Sequence, residues 1–138
     1  MIQRIQSIWL LLAAVCAFLT LKFSYYSGTD LTGAPYQQLT AVTGGLPILG
    51  TTIVIGTLAF INIFLYKNRV LQLRLCALGI VLEAMLIFLY YRELSATFSQ
   101  GTLSLTSILH SLIILFLALA ARGINKDEKL IKESNRLR

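Results

Sequence analysis

Pro47-Ile-Leu-Gly-Thr-Thr-Ile-Val-Ile-Gly-Thr-Leu-Ala-Phe-Ile-Asn-Ile-Phe-Leu-Tyr66 contains no charged residue, and Lys67 and Arg69 follow directly. At about 1.5 Å of rise per residue, a helix of this length spans the roughly 30 Å of hydrocarbon in a bilayer. Pro47 fits the first turn, because its φ is fixed and its missing N–H is one that a helix start leaves unpaired in any case. The run therefore predicts a membrane-crossing helix from about Pro47 to Tyr66. The rest of the chain shares its character: of 138 residues, 57% are hydrophobic and 13% charged, with a mean hydropathy of +0.76. That composition excludes an ordinary water-soluble domain.

Three further stretches qualify. The sequence between Arg4 and Lys22 carries no charge, which predicts a first helix from about Ile5 to Tyr26. A helix from about Val70 to Tyr91 holds Arg74 near its start and Glu83 in its body. A last one covers about Leu103 to Ala121, after the turn residues Ser99, Gln100, Gly101 and Thr102. The segment before Pro47, with Thr32, Gly33, Pro35, Gln37, Gln38, Thr40 and Thr43, is too polar for lipid and too short for a domain of its own. It reads as a capping loop or a partner contact. The fold class is all-α membrane: a four-transmembrane-helix bundle over residues 1–121 and a basic tail over 122–138.

Orientation follows from the basic residues, which resist translocation when they lie close to a membrane span. Arg4, Lys67, Arg69, Arg74, Arg122, Lys126, Lys129, Lys132, Arg136 and Arg138 fall on one side of the four-helix layout, and only Lys22 and Arg92 on the other. Both termini and the loop after the second helix are therefore expected in the cytoplasm. Tyr25, Tyr26, Tyr90 and Tyr91 then mark the outer interface, with Trp9 and Tyr66 toward the inner one. No small-x-small cleavage site precedes the polar loop, so the first helix is expected to be retained rather than removed as a signal peptide. The tail reads as a short amphipathic helix with Asn125 as its N-cap and Asp127 and Glu128 in its first turn. Its basic surplus suits anionic lipid headgroups or a cytoplasmic partner. Nucleic acid is not expected, because no aromatic interleaving or binding motif accompanies the charge.

No nucleotide loop, cofactor motif or metal-ligand cluster occurs, so neither cofactor nor metal is expected. Cys16 and Cys76 lie at different depths and neither has a CxxC neighbour, which leaves them as thiols filling gaps between helices. Glu83 and His110 are the two ionisable residues deep in the apolar runs, where such groups are costly and face the bundle interior. Counting back from Tyr91 and forward from Leu103 sets them at nearly equal depth on neighbouring antiparallel helices, which predicts a hydrogen-bonded pair. Cys76, Gly79, Glu83 and Tyr90 share one helical face, and Ser104, Ser107 and Ser111 flank His110. Ala13 with Ala17 and Thr52 with Gly56 are small-xxx-small pairs that favour close helix approach. Lys22, Asn62 and Arg74 lie near the ends of their helices and need no functional explanation.

Three segments carry a family resemblance: Met1-Ile-Gln-Arg-Ile-Gln-Ser-Ile-Trp-Leu-Leu-Leu-Ala13, Phe64-Leu-Tyr-Lys-Asn-Arg-Val-Leu-Gln-Leu-Arg-Leu-Cys76 and Lys126-Asp-Glu-Lys-Leu-Ile-Lys-Glu-Ser-Asn-Arg-Leu-Arg138. Together they resemble a Bacteroidota family of small four-helix integral membrane proteins classed as a domain of unknown function. The resemblance implies the inner membrane of such a bacterium and the same four-span layout, and it carries no catalytic residue. The expected function is non-enzymatic: an accessory or scaffold subunit that meets membrane lipids and a membrane-protein partner, or a second copy of itself, through its helices. Its basic side would dock a cytoplasmic partner or anionic lipid. The alternative is a small transporter or membrane-enzyme subunit that uses Glu83 and His110 for proton or ligand handling. A lipid or quinone site built on Phe60, Phe64, Phe88 and Tyr90 is a third reading.

Overall fold

Each apolar run winds into a helix, and the polar segments between them pair as short strands. The computed structural model describes residues 3–33 and 35–136, with the backbone alone at Gln3 and Arg4. In chain order the elements are α1 (Gln3–Leu19), β1 (Tyr26–Asp30), β2 (Gln37–Leu39), α2 (Leu46–Phe64), α3 (Arg69–Thr97), β3 (Phe98–Leu103), a single 3-10 turn (Leu105–Ser107) and α4 (Ile108–Arg136). The molecule is mostly helical, as an all-α membrane protein requires. The helices α2, α3 and α4 are long and apolar enough to cross a membrane, and α1 is a shorter apolar helix.

Helix α1 packs against α2 and α4, and α3 packs against the same two, so the four close a square with α1 and α3 on one diagonal. The interior of the square mixes large aliphatic side chains, among them Leu10, Ile55, Leu86, Ile113 and Leu117, with small and polar ones. Ala13, Ala17, Ala59, Gly79 and Ala120 are buried there with Thr52, Asn62, Gln72, Glu83 and His110. Two glycines act as notches: Gly56 of α2 receives the Phe18 ring of α1, and Gly79 of α3 receives Leu117 of α4. Many other large apolar side chains point outward, including Val15, Val54, Ile61, Val81, Met85, Phe88 and Leu115. Each is roughly half exposed and would forfeit about 1 kcal/mol if water rather than hydrocarbon surrounded it. A handful of such losses equals the whole stability of a soluble domain, about 5–15 kcal/mol. This outer surface matches lipid, and the molecule is a membrane protein.

The expected helix boundaries need correction at four places, and one cause accounts for two of them. Helix α1 stops at Leu19 instead of Tyr26, and α4 starts at Ile108 instead of Leu103. The intervening backbone groups are taken by a three-stranded antiparallel sheet with strand order β2-β1-β3. Tyr25 N–H donates to the Leu39 carbonyl (2.7 Å), and Ser104 N–H donates to the Tyr25 carbonyl (3.0 Å). Tyr26 pairs with Leu39 on one side and Leu103 on the other. The loop read from sequence is therefore a sheet that ties the α1–α2 and α3–α4 connections to each other. Where Gly28 faces Gly101 the strands approach closely: a Cβ on Gly101 would lie 2.6 Å from the Ser27 carbonyl oxygen. Only glycine fits at that crossing.

The third correction concerns the tail. No separate helix begins at Asn125, because α4 continues unbroken through Gly123 and Asn125 to Arg136. It is held down beyond Ala121 by Ile124, which is fully buried, and by Asp127, which is nearly so. Helix α3 also runs on to Thr97, past the expected Tyr91, and delivers Phe98 directly into β3.

Candidate functional site

Glu83 stands at the middle of α3, fourteen residues from Arg69 and fourteen from Thr97. That places it about 21 Å from the Arg69 end of the helix. His110 is the third residue of α4, five residues closer to its helix start than the sequence reading expects, because β3 consumes Leu103. The two side chains nevertheless meet: His110 Nδ1 and Glu83 Oε1 lie 2.6 Å apart in a short hydrogen bond. Glu83 has no solvent exposure and His110 has 2%. The second carboxylate oxygen, Oε2, has no hydrogen-bond partner among the described residues.

Aromatic rings enclose the imidazole. Tyr25 and Tyr90 stack with centroids 4.5 Å apart, and each presents an edge-on contact to His110, at 5.3 Å and 5.1 Å. The buried Thr52 hydroxyl of α2, which donates to the Ile48 carbonyl (2.8 Å), lies near the Tyr90 phenol, so α2, α3, α4 and the segment leading into the sheet all converge here. Tyr25 lies outside the helices, and burial raises the pKa of its phenol above the ordinary value. Above the imidazole, Ser24 and Ser27 hydroxyls approach the Ser104 hydroxyl (3.1 and 3.4 Å), and Thr106 donates to the Ser24 carbonyl. Ser104 thus belongs to the junction of sheet and helix rather than to the pair itself, and Ser111 faces outward.

Two further polar ties occur nearer the other end of the bundle. Asn62 Nδ2 donates to the Gln72 carbonyl (3.2 Å) and to Cys76 Sγ (3.3 Å), while Gln72 Nε2 donates to the Asn62 carbonyl (3.1 Å). This reciprocal clasp closes the α2–α3 hairpin, so Asn62 is wholly buried and not an interfacial residue. At the end of the bundle, Gln6 Nε2 donates to the Asp127 carboxylate, and Arg69 Nη1 donates to the Asp127 backbone carbonyl (3.2 Å). Asp127 is therefore a tie between α1, α3 and α4, not a first-turn acid of a free tail helix.

The basic residues expected on one surface separate into classes. Arg69 is committed to Asp127, and Lys132 pairs with Glu128 at 2.8 Å. Lys67, Arg74, Arg122, Lys126, Lys129 and Arg136 are exposed. The side chain of Arg4, and Arg138, lie outside the described residues. The aromatic set Phe60, Phe64, Phe88 and Tyr90 is not one site: the three phenylalanines point outward and Tyr90 is buried. Sequence reasoning missed Tyr25, Thr52, Gln6 and Asp127 as partners. The one available signal was Gln6, one turn inside α1 beside Ser7, where the long apolar run of that helix begins.

A bundle of apolar helices, lined by buried acid, imidazole and amide ties and lidded by a small polar sheet, defines a membrane protein with intramembrane polar contacts. The family model described as Domain of unknown function (DUF4293) matches residues 2–137, and the chain belongs to that family. No curated protein and no solved structure matches.

Proposed function

We propose that the protein is a non-enzymatic accessory subunit of the inner membrane of a Bacteroidota bacterium. It crosses four times with both termini in the cytoplasm, joins a membrane-protein partner through its lipid-facing helices, and docks through the basic end. The observation that carries this reading is how the polar groups are distributed. Glu83 with His110, Asn62 with Gln72 and Cys76, and Gln6 with Asp127 each tie neighbouring helices together. Most of the exposed positive charge meanwhile gathers at the end of the bundle that holds the α2–α3 turn and the α4 tail. Interior polarity serves assembly, and exterior charge serves contact.

A mild-detergent pulldown of tagged protein from its native membrane, read by mass spectrometry, tests this. One stoichiometric membrane complex is expected, with any cytoplasmic component lost when the chain is truncated after Arg122. Recovery of the protein alone in both cases overturns the reading.

The unpartnered Glu83 Oε2 favours a second reading, in which the pair handles a proton or a small ligand. Intramembrane ionisable groups commonly mark such pathways. Glu83→Gln and His110→Ala separate the two: a clasp loses stability or assembly, whereas a relay loses flux with assembly intact.

A further inference from the structure

Arg122, Asn125, Lys126 and Lys129 follow i, i+3, i+4 and i+7 spacing, which sets them on one face of α4. All four are exposed, and together they line a shallow concavity. Among the described residues none of the three cations makes an ion pair. Asp127 is turned inward onto Gln6, and Glu128 is taken by Lys132. The strip therefore presents three uncompensated positive charges and one amide donor.

The same face continues upward in a different chemistry. Leu115 and Ala118, seven and four residues before Arg122, are exposed on the lipid-facing side of α4. An apolar stripe thus passes without interruption into a basic concavity. Lys129 lies about 10 Å beyond Arg122 along the helix, which carries the strip from the hydrocarbon boundary through the headgroup layer. A soluble acidic peptide would use the charges and leave the apolar stripe unexplained. A phospholipid uses both, with an acyl chain along Leu115 and Ala118 and its phosphate among the basic side chains.

We propose that Arg122, Asn125, Lys126 and Lys129 form a headgroup site for an anionic phospholipid, continuous with the Leu115–Ala118 stripe. This deepens the docking reading above and rests on its assignment of the basic end as the docking end. Arg122 and Lys126 engage the phosphate, Asn125 donates from its amide, and Lys129 adds the positive charge that favours a headgroup without the cation that makes phosphatidylcholine zwitterionic.

The test is native mass spectrometry of the full chain released from nanodiscs of phosphatidylglycerol or of phosphatidylcholine. Retained phosphatidylglycerol adducts are expected, with few from phosphatidylcholine. Each neutralised cation should weaken retention roughly fivefold, so Arg122→Gln/Lys126→Gln/Lys129→Gln should weaken it on the order of a hundredfold. The control is Lys67→Gln/Arg74→Gln, which removes two exposed charges elsewhere and should leave retention intact. Equal loss in that control would mean diffuse attraction and overturn the site. Displacement of the lipid by inorganic phosphate at equal concentration would indicate a free-anion site and also overturn it, as would binding of an oligoglutamate peptide in preference to lipid. A thermal melt of each variant in detergent should match the parent, because every altered side chain is exposed. The nanodisc measurement involves no partner protein, so the pulldown and the lipid test can fail independently.

Discussion

Removing His110 leaves both oxygens of the Glu83 carboxylate without a hydrogen-bond partner among the described residues, at a position closed to bulk solvent. Breaking one member of a buried charged pair costs about 3–5 kcal/mol, whereas replacing both by apolar groups is often nearly neutral. His110→Leu is therefore expected to destabilise the protein in detergent by about 3 kcal/mol, and Glu83→Met/His110→Leu by about 1 kcal/mol or less. Thermal or chemical unfolding of the four members of the cycle measures this. A loss near 0.6 kcal/mol for the single change would instead mark an ordinary intramembrane hydrogen bond between uncharged groups. Glu83 and His110 were legible in the sequence because ionisable residues stand out in apolar runs and helical rise fixes their depth. Their surroundings were not. Tyr25 reads as an interfacial aromatic until the chain around it leaves the helix and folds its ring over the imidazole.

The strands were hidden by composition. Tyr26-Ser-Gly-Thr29 and Phe98-Ser-Gln-Gly-Thr102 share an order of aromatic, serine, glycine and threonine, yet neither shows the apolar alternation that announces a half-buried strand. Their stability comes from backbone pairing and from the Tyr26–Phe98 ring contact at 5.1 Å. Gly101→Ala forces a methyl against the Ser27 carbonyl, and overpacking of this kind costs about 1–3 kcal/mol. Hydrogen exchange should then accelerate at the amides of residues 25–29 and 99–104, while α2 amides keep their protection. Unchanged exchange would mean that the strands do not pair as described. The tail makes the complementary case. Asn125 with Asp127 and Glu128 reads as a helix start, but a local cap signal loses to a helix already propagating on a buried face. Gln6→Leu withdraws the donor from Asp127, so faster exchange is expected from Lys126 to Arg136, with little change at Ile113 or Leu117. Equal change along the whole of α4 would mean that Gln6 supports the bundle and not the tail.

The bundle was legible in outline because hydrophobic length and charge position are properties of whole segments and survive errors at individual boundaries. The internal arrangement was less so, since small residues and amides mark faces only once their neighbours are known. Cys16 and Cys76 are both buried, which leaves the surface free of competing thiols for a topology measurement. On the proposed layout, which puts both termini in the cytoplasm, a cysteine placed at Ser134 should react with an impermeant maleimide only from the cytoplasmic side, and one at Thr32 only from the opposite side. Reaction of both from one side would overturn the four-crossing layout. The sheet adds a constraint on how the molecule is made. Strand β1 waits between a partner from its own loop, β2, and one that arrives some seventy residues later, β3. During synthesis the first helical hairpin can only present an unfinished edge. That edge closes when the second hairpin inserts in the matching direction and carries Phe98–Leu103 to the same face. On the proposed layout, a chain whose second half inserts upside down keeps bare backbone donors and acceptors exposed on β1, so completing the sheet requires that both halves enter the membrane the same way round.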